Sequence, residues 1–442
     1  MIGAIVLLRL NAFLALIAAA LTVSLLAPGE PAIRVLRVAE GFGRTAGNIG
    51  IVIALASVIG KAMMDSGAAD RIVRAFLALL GERRGATALG ATGFVLSIPV
   101  FFDTVFYLLV PLARSMHART SRDYLRYLMA IAAGAAATHT LVPPTPGPLA
   151  VASSLGVDLG TMVLMGFLVA LPAATAGGLF ARWMNTRLTI VPPASTSAVA
   201  ARAIALPGLA ASLTPIVLPV VLIAANTLVT SLTAPSRPHA AFLDSLAPWM
   251  VVLGNPNVAL LLAAGIALRL YARQTGATRS DVATMTESAL EGSGMIILIT
   301  AAGGAFGATL QAAQVGPAIQ GWFNVEQAGT GLSLLLLAFG MSSLLKIAQG
   351  SSTVAMITTA GMLGALLAEV PTLPYHRVYV ATAIASGSLV GTWMNDSGFW
   401  VFSRLGGTTE IETLRTWTPL SAIVGVTALL TTLLLALVLP LR

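Results

Sequence analysis

The chain has 442 residues, of which 57% are hydrophobic and only 10% are charged, and it carries a net charge of +8. A soluble globular protein would have about 25% charged residues, so this composition excludes one. The positive charge does not indicate nucleic-acid binding, because the arginines lie in short segments between apolar runs. Cysteine is absent, which excludes disulfides and thiolate metal sites, and no cofactor is predicted.

Apolar runs long enough to cross about 30 Å of hydrocarbon recur along the whole chain. They predict an all-α polytopic membrane protein, and residues 1–27 are read as an uncleaved first helix and not as a signal peptide. The predicted spans or helix pairs lie at 10–27, 48–67, 86–112, 127–150, 157–181, 203–232, 247–268, 287–307, 330–365, 377–403 and 418–440.

Basic loops predict the topology, because arginine-rich loops are retained in the cytoplasm. The loops 113–126, 182–202 and 269–279 are basic, and so is the turn at 81–84. The segment 86–112 therefore lies between two cytoplasmic loops and cannot cross once. We expect it to form a re-entrant hairpin whose tip is "SIPVFFD", with Pro99 breaking the helix. The loop predicted at 31–47 should lie outside, although its three arginines fit this placement poorly.

The stretch "THTLVPPTPGP" at 138–148 interrupts an otherwise apolar segment with four prolines and a glycine. Such residues cannot continue a helix, so the span at 127–150 is predicted to be broken. Irregular backbone is tolerated at membrane depth only where it is buried in protein or lines a cavity. The break therefore predicts a polar chamber inside the membrane.

Three landmarks return about 245–250 residues later in the same order, which indicates an internal repeat. The segments 60–72, 97–109 and 138–150 are echoed by 303–319, 345–357 and 391–403. The topology makes the repeats inverted. The predicted organisation is a first repeat at 1–202, linking scaffold helices at 203–286 and a second repeat at 287–442, with a second hairpin at 330–365 and a second broken helix at 377–403.

These stretches resemble the gluconate:proton symporter (gluconate permease) family of the ion-transporter superfamily. The most specific are "THTLVPPTPGPLAVASSLGVDLG", "LKIAQGSSTVAMITTAG" and "MNDSGFWVFSRLGGTTEIETLRTW". The resemblance covers nearly the whole chain. It implies proton-coupled sugar-acid uptake across a bacterial inner membrane by an elevator-type mechanism, and a homodimer. Relatives often begin with a further helix, and they often carry glutamate and arginine where this chain has Asp103 and Lys346.

Three ionisable side chains are predicted to couple transport to protons. Asp103 has no neighbouring countercharge in the sequence, and a low dielectric favours the protonated form of such a carboxylate. Asp396 is the second carboxylate, with helix capping as its alternative role. His139 lies inside the first break and titrates in the useful range, or it is a neutral donor that fixes the kinked backbone.

The predicted substrate-binding groups are one cation and many neutral hydrogen-bonding groups, as a polyhydroxylated acid requires. Lys346 is expected to neutralise the substrate carboxylate or to pair with a carboxylate such as Asp103. For Lys61 and Asp65, a structural ion pair along one helix is favoured. The remaining predicted substrate-binding residues are His139, Thr140, Thr145, Gly147, Gln349, Gly350, Ser351, Ser352, Thr353, Asn395 and Ser397.

Transport of a sugar-acid anion with protons is the main functional prediction, and the lipid bilayer, the anion and protons are the predicted partners. Another small organic anion, such as glycerate or hydroxybutyrate, or sodium coupling stays open. An intramembrane enzyme is disfavoured, because the histidines lack H-E-x-x-H spacing and no G-x-S-x-G elbow occurs. A passive channel would not need paired hairpins.

Overall fold

The computed structural model describes residues 11–81, 84–120, 122–192, 206–233, 241–313, 331–369, 373–394 and 396–441. Within these ranges the regular structure is entirely helical. The helices are α1 (Ala12–Leu26), α2 (Pro31–Asp65), α3 (Ala68–Leu80), α4 (Gly85–Leu96), α5 (Phe102–Thr120), α6 (Tyr124–Leu141), α7 (Pro146–Leu155), α8 (Leu159–Asn185), α9 (Leu209–Leu232), α10 (Ala241–Leu253), α11 (Pro256–Thr275), α12 (Arg279–Ala312), α13 (Leu332–Gln349), α14 (Ser352–Glu369), α15 (Val378–Gly387), α16 (Ser397–Gly406) and α17 (Glu410–Val438).

Several helices have the length and composition of membrane spans. Among the described residues, six helical segments are long and apolar enough to cross a bilayer, or seven if the bent α2 is counted as one span. Large apolar side chains of α8 remain at least half exposed, for example Leu168, Leu171 and Leu179. Exposed apolar surface on this scale suits contact with lipid and not with water. The structure thus agrees with the predicted polytopic membrane protein.

Helix α2 replaces the loop that the topology analysis placed at 31–47. The chain there is helical from Pro31 onward, and the helix bends by 41° where Asn48 meets Gly50. Pro31 suits the first helical position, because the missing N–H would be unpaired there in any residue. Gly41 packs against Ala305 of α12. This close packing between small residues outweighs the low helix propensity of glycine, so the predicted external loop is wrong.

The predicted span at 247–268 is two helices and not one. Helix α10 ends at Leu253, and α11 begins at Pro256. The side chain of Asn255 caps α11 by accepting a hydrogen bond from the Asn257 N–H at 3.0 Å. An asparagine cap followed by proline is a helix-start signal in the sequence that the apolar run concealed.

Helix α17 begins eight residues before the predicted span at 418–440. Thr409 and Glu412 form a reciprocal capping box, in which each side chain accepts from the backbone N–H of the other residue. The helix then packs against α8 and α15, and its buried Trp417 reaches the interior. This early start places Trp417 on the wall of the central cavity.

Among the described residues, four short interruptions between consecutive helices face one another inside the bundle. They separate α4 from α5 at 97–101, α6 from α7 at 142–145, α13 from α14 at 350–351, and α15 from α16 at 388–396. Each contains the glycine, proline or short polar residues that mark it in the sequence. The interruptions lie inside the predicted hairpin and broken-helix segments, and together they surround the candidate site.

Candidate functional site

A cavity of about 820 Å³ lies where the interruptions meet. Residues from the 97–101 break and from the start of α5 form one wall, and the α13–α14 turn faces them. Residues of α2, α6, α7, α12 and α17, together with the α15–α16 break and the start of α16, complete the lining. Its volume lies in the range that small-molecule sites occupy, about 300–1,000 Å³.

Lys346 and Asp396 form a buried ion pair on this cavity. Only 1% of the lysine side chain and 12% of the aspartate side chain are exposed. The Lys346 ammonium also donates to the Gly350 carbonyl at 2.5 Å, and Asp396 accepts from the Phe399 N–H at 3.1 Å. The pair therefore ties the end of α13 to the start of α16. Asp396 is a helix cap, as one alternative predicted, and it lies in the site as well.

Asp103 faces the same cavity from the first turn of α5. Lys346 forms its ion pair with Asp396 and not with Asp103, the carboxylate partner considered for it from the sequence. Asp103 nevertheless lies within electrostatic range of both members of the ion pair. Its side chain is exposed to the cavity and forms no hydrogen bond or ion pair within the described part of the chain. An unpartnered carboxylate is thus available to a proton or a ligand.

His139 lies in the last turn of α6, one turn from the break, and lines the cavity. Its ring meets the ring of Phe101 edge-on, with 5.9 Å between centroids. The buried Nδ1 has no hydrogen-bond partner among the described residues. No side-chain hydrogen bond from His139 to the kinked backbone is present there, so the structure gives no support to a purely structural donor role.

Hydroxyl and backbone groups supply most of the remaining polar lining. Thr140, Ser397 and the turn Gly350–Thr353 all lie on the cavity. Ser352 donates to the Ser388 carbonyl at 2.8 Å, which fixes the start of α14 against the second broken helix. Because hydroxyls both donate and accept, this surface suits a polyhydroxylated ligand.

Two predicted binding residues lie away from the cavity lining. The Thr145 hydroxyl is buried and donates to the Val142 carbonyl at 2.7 Å, so it stabilises the break itself. Gly147 faces Met356 of α14, where a side chain would collide. Asn395 lies outside the described residues, and of Gln349 only the backbone is described.

Sequence reasoning missed several lining residues. Lys61 and Asp65 form the predicted ion pair at 3.4 Å, and they also lie on the cavity wall. The lining also includes Ser57, Thr104, Ser288, Thr392 and Trp417. Several of them lie in the repeat segments or, like Trp417, at the end of a family-like stretch, but no local pattern predicted a binding role for them. Their placement around the breaks brings them into the site.

An aromatic cluster supports the wall beside Asp103. The ring of Phe102 stacks on Trp417 with centroids 5.1 Å apart. Phe402 stacks on Trp417 at 5.7 Å and on Phe106 at 5.4 Å. Stacked rings fix the start of α5 and hence the direction of the Asp103 side chain. Among the described residues, no group of three or more histidine or carboxylate side chains has the arrangement to hold a metal ion.

The cavity combines charged side chains with hydroxyl and backbone groups, so it can hold a small anion and hydrogen-bond it. A family model described as GntP family permease matches residues 1–438. This chain belongs to that family. A gluconate permease of Pseudomonas aeruginosa is 34% identical over 99% of this chain and 96% of its own length. A Gnt-II system L-idonate transporter of Escherichia coli is 33% identical, over 96% and 93% of the two chains.

Solved structures agree on the fold. The YdaH transporter of Alcanivorax borkumensis matches with a TM-score of 0.69 at 17% identity, over 97% of this chain and 98% of its own. MtrF of Neisseria gonorrhoeae, described among antimetabolite efflux pumps, matches with a TM-score of 0.65 at 15% identity, over 97% and 95% of the two chains. This GntP family permease is therefore a multi-pass transporter of a bacterial inner membrane and not an enzyme.

Proposed function

We propose that this permease takes up gluconate or a related sugar-acid anion together with protons through the central cavity. The observation that carries the proposal is the unpartnered carboxylate of Asp103, which faces the Lys346–Asp396 pair across a hydroxyl-lined cavity. The names of the gluconate and L-idonate relatives support the substrate class.

Lys346 is the group assigned to the substrate carboxylate. An ammonium has three donors, and its described partners, the Gly350 carbonyl and Asp396, take two. We assign the third donor to an anion that enters the cavity. Ser351, Ser352 and Thr353 then supply hydrogen bonds to the hydroxyls of the sugar acid.

Charge balance supports proton coupling. The described lining contains three carboxylates, Asp65, Asp103 and Asp396, but only two ammonium groups. Entry of an anion would add a further negative charge to a cavity that already has an excess of one. In a low dielectric this costs much more than in water, and a proton on Asp103 removes the cost. We assign the coupled proton to Asp103. We propose that His139 and Asp396 lie along the route by which the proton reaches and leaves Asp103.

Inverted repeats and an elevator-like movement extend the proposal. The order of long helix, interrupted pair, broken helix and long helix in α2 and α4–α8 recurs in α12–α17, which supports two related halves. The interrupted elements would form the moving unit, and α9–α11 the scaffold. Exposed apolar residues of α9 and α10, such as Val221 and Trp249, would form the face at which two copies meet in a homodimer. Light scattering in detergent measures the mass of the complex and so tests the homodimer.

Uptake of radiolabelled gluconate into proteoliposomes tests the proposed function. An imposed gradient, alkaline inside, is expected to drive accumulation above equilibrium, and a protonophore to abolish it. A sodium gradient alone is expected to drive none. Competition by L-idonate, glycerate and hydroxybutyrate ranks the substrates. Flux that ignores every gradient would reject coupled transport in favour of a passive pathway.

A further inference from the structure

A second cavity of about 380 Å³ lies away from the central one. It is lined by two arginines, Arg44 of α2 and Arg377 at the start of α15. No aspartate or glutamate is among its described lining residues, and neither arginine forms an ion pair with a carboxylate in the described ranges. A cavity walled by two guanidinium groups and no acid attracts anions.

Neutral donors surround the two arginines. Thr45, Asn48, Ser153 and Ser154 line the cavity, and the Asn48 amide approaches the Ser153 hydroxyl at 3.5 Å. Arg377 is positioned by a hydrogen bond of 3.2 Å to the Leu367 carbonyl at the end of α14. Guanidinium groups suit carboxylates, and the hydroxyl and amide groups suit alcohols. The lining therefore matches a hydroxycarboxylate.

Glycines allow the helices around this cavity to pack closely. Gly304 of α12 faces Thr45, and a side-chain carbon on Gly307 would lie only 2.8 Å from the Cα of Gly361 in α14. Gly364 of α14 lies against the Ser154 backbone. Small residues at these crossings let the helices approach closely and bring the polar groups of α2 and α7 together around the cavity.

The two cavities share three helices. Residues 57–65 of α2, 288–292 of α12 and the start of α14 line the central cavity, whereas 41–48, 304–308 and 360–365 of the same helices line the second. From Arg44 to Lys61 the helix rises about 25 Å, at about 1.5 Å per residue. The second cavity thus lies beyond the bend of α2, at a separate place along the three shared helices.

We propose that the second cavity is a separate binding site for the hydroxycarboxylate substrate, held by Arg44 and Arg377, at which the anion docks on one side of the central site. The inference takes its ligand class from the proposed function and so rests on it. The same guanidinium pair would also accept a phosphate, so an anionic lipid headgroup is the competing source of this chemistry.

The absence of cysteine from the natural sequence gives a direct test. Ser154→Cys places a single thiol on the second cavity, and Ser280→Cys on the exposed start of α12 is its control. Reaction rates are measured with anionic and cationic methanethiosulfonate reagents. The anionic reagent is expected to be favoured at position 154, and each of Arg44→Gln and Arg377→Gln should lower the ratio about fivefold. Arg44→Lys should restore most of it, and Arg273→Gln, outside both cavities, should leave it unchanged.

Protection of the same thiol identifies the ligand. Gluconate is expected to slow labelling of Ser154→Cys in detergent, and to do so still when Lys346→Gln and Asp396→Asn disable the central site. Protection that disappears with that central pair would overturn the proposal, as would protection by phosphatidylglycerol nanodiscs and not by gluconate. A rate ratio that is insensitive to both arginines would overturn it too.

The outcomes separate the two proposals. If gluconate is accumulated but does not protect position 154, the second site is rejected and the proposed function stands. If no gluconate is accumulated or bound, the proposed function fails. The reagent ratio still decides whether the arginine pair attracts anions, because that measurement involves no substrate.

Discussion

Lys346 and Asp396 are 50 residues apart in sequence, and their ion pair joins the turn between α13 and α14 to the start of α16. Asp396 also accepts a hydrogen bond from the Phe399 N–H, and the Lys346 ammonium also donates one to the Gly350 carbonyl. A buried pair of this kind is held in place by its surroundings, and removing one member leaves the other as an uncompensated charge.

The first prediction concerns this pair. Lys346→Gln should lower the free energy of unfolding by about 3 kcal/mol, because Asp396 stays buried without its countercharge. The double variant Lys346→Gln with Asp396→Asn should be more stable than Lys346→Gln alone, since two neutral amides can hydrogen-bond each other. Thermal unfolding in detergent measures the coupling. Both variants should lose gluconate uptake, and stability losses that simply add in the double variant would contradict the ion pair.

The second prediction concerns Asp103. Asp103→Asn keeps the shape of the side chain but removes its titrating proton, so accumulation driven by a pH gradient should fall to the level without a gradient. Gluconate counterflow, which needs no net proton movement, should persist. Asp103→Glu should retain coupled uptake at a lower rate. Asp281→Asn, at the exposed start of α12, is the matched control and should behave as wild type. Full accumulation by Asp103→Asn would remove Asp103 from the coupling step.

The interruptions of the helices were readable from the sequence because their residues obstruct helices locally. Prolines fill the break at 142–145, and Gly350 adopts a left-handed backbone at the α13–α14 turn. Such signals depend on a few adjacent residues and not on contacts with distant parts of the chain. The central cavity followed from them, because irregular backbone needs a polar surrounding within a membrane.

Features that depend on contacts between distant segments were not readable. The pairing of Lys346 with Asp396 instead of Asp103 is set by how α13 meets α16. The helix at 31–47 is stabilised where Gly41 packs against Ala305 and Ala308 of α12, a contact between distant segments that the predicted loop could not anticipate. Local propensity is a weak guide where tertiary packing decides.

The third prediction tests close helix packing around the site. Gly134 of α6 faces the Gly90 carbonyl of α4 so closely that a side-chain carbon would overlap it. Gly134→Ala should therefore destabilise the protein by about 1–3 kcal/mol, or prevent folding, because backbone cannot move as a flexible side chain can. Gly265→Ala is the control, since no described atom lies within 4 Å of its added carbon. That variant should gain up to about 1 kcal/mol from helix propensity. Equal melting temperatures for the two variants would refute the packing.

The fourth prediction concerns the ring stacking of Trp417 and its unpaired indole N–H. Its ring stacks on Phe102 and Phe402, while its buried Nε1 has no partner among the described residues. Trp417→Phe keeps a stacking ring and removes an unpaired donor, so stability in detergent should change by less than about 1.5 kcal/mol. Trp417→Ala should cost about 3–5 kcal/mol through the cavity it leaves. It should also weaken gluconate uptake in proteoliposomes, because the stack that holds the start of α5, and with it Asp103, is lost. An alanine variant with unchanged stability and uptake would show that the aromatic cluster does not position Asp103.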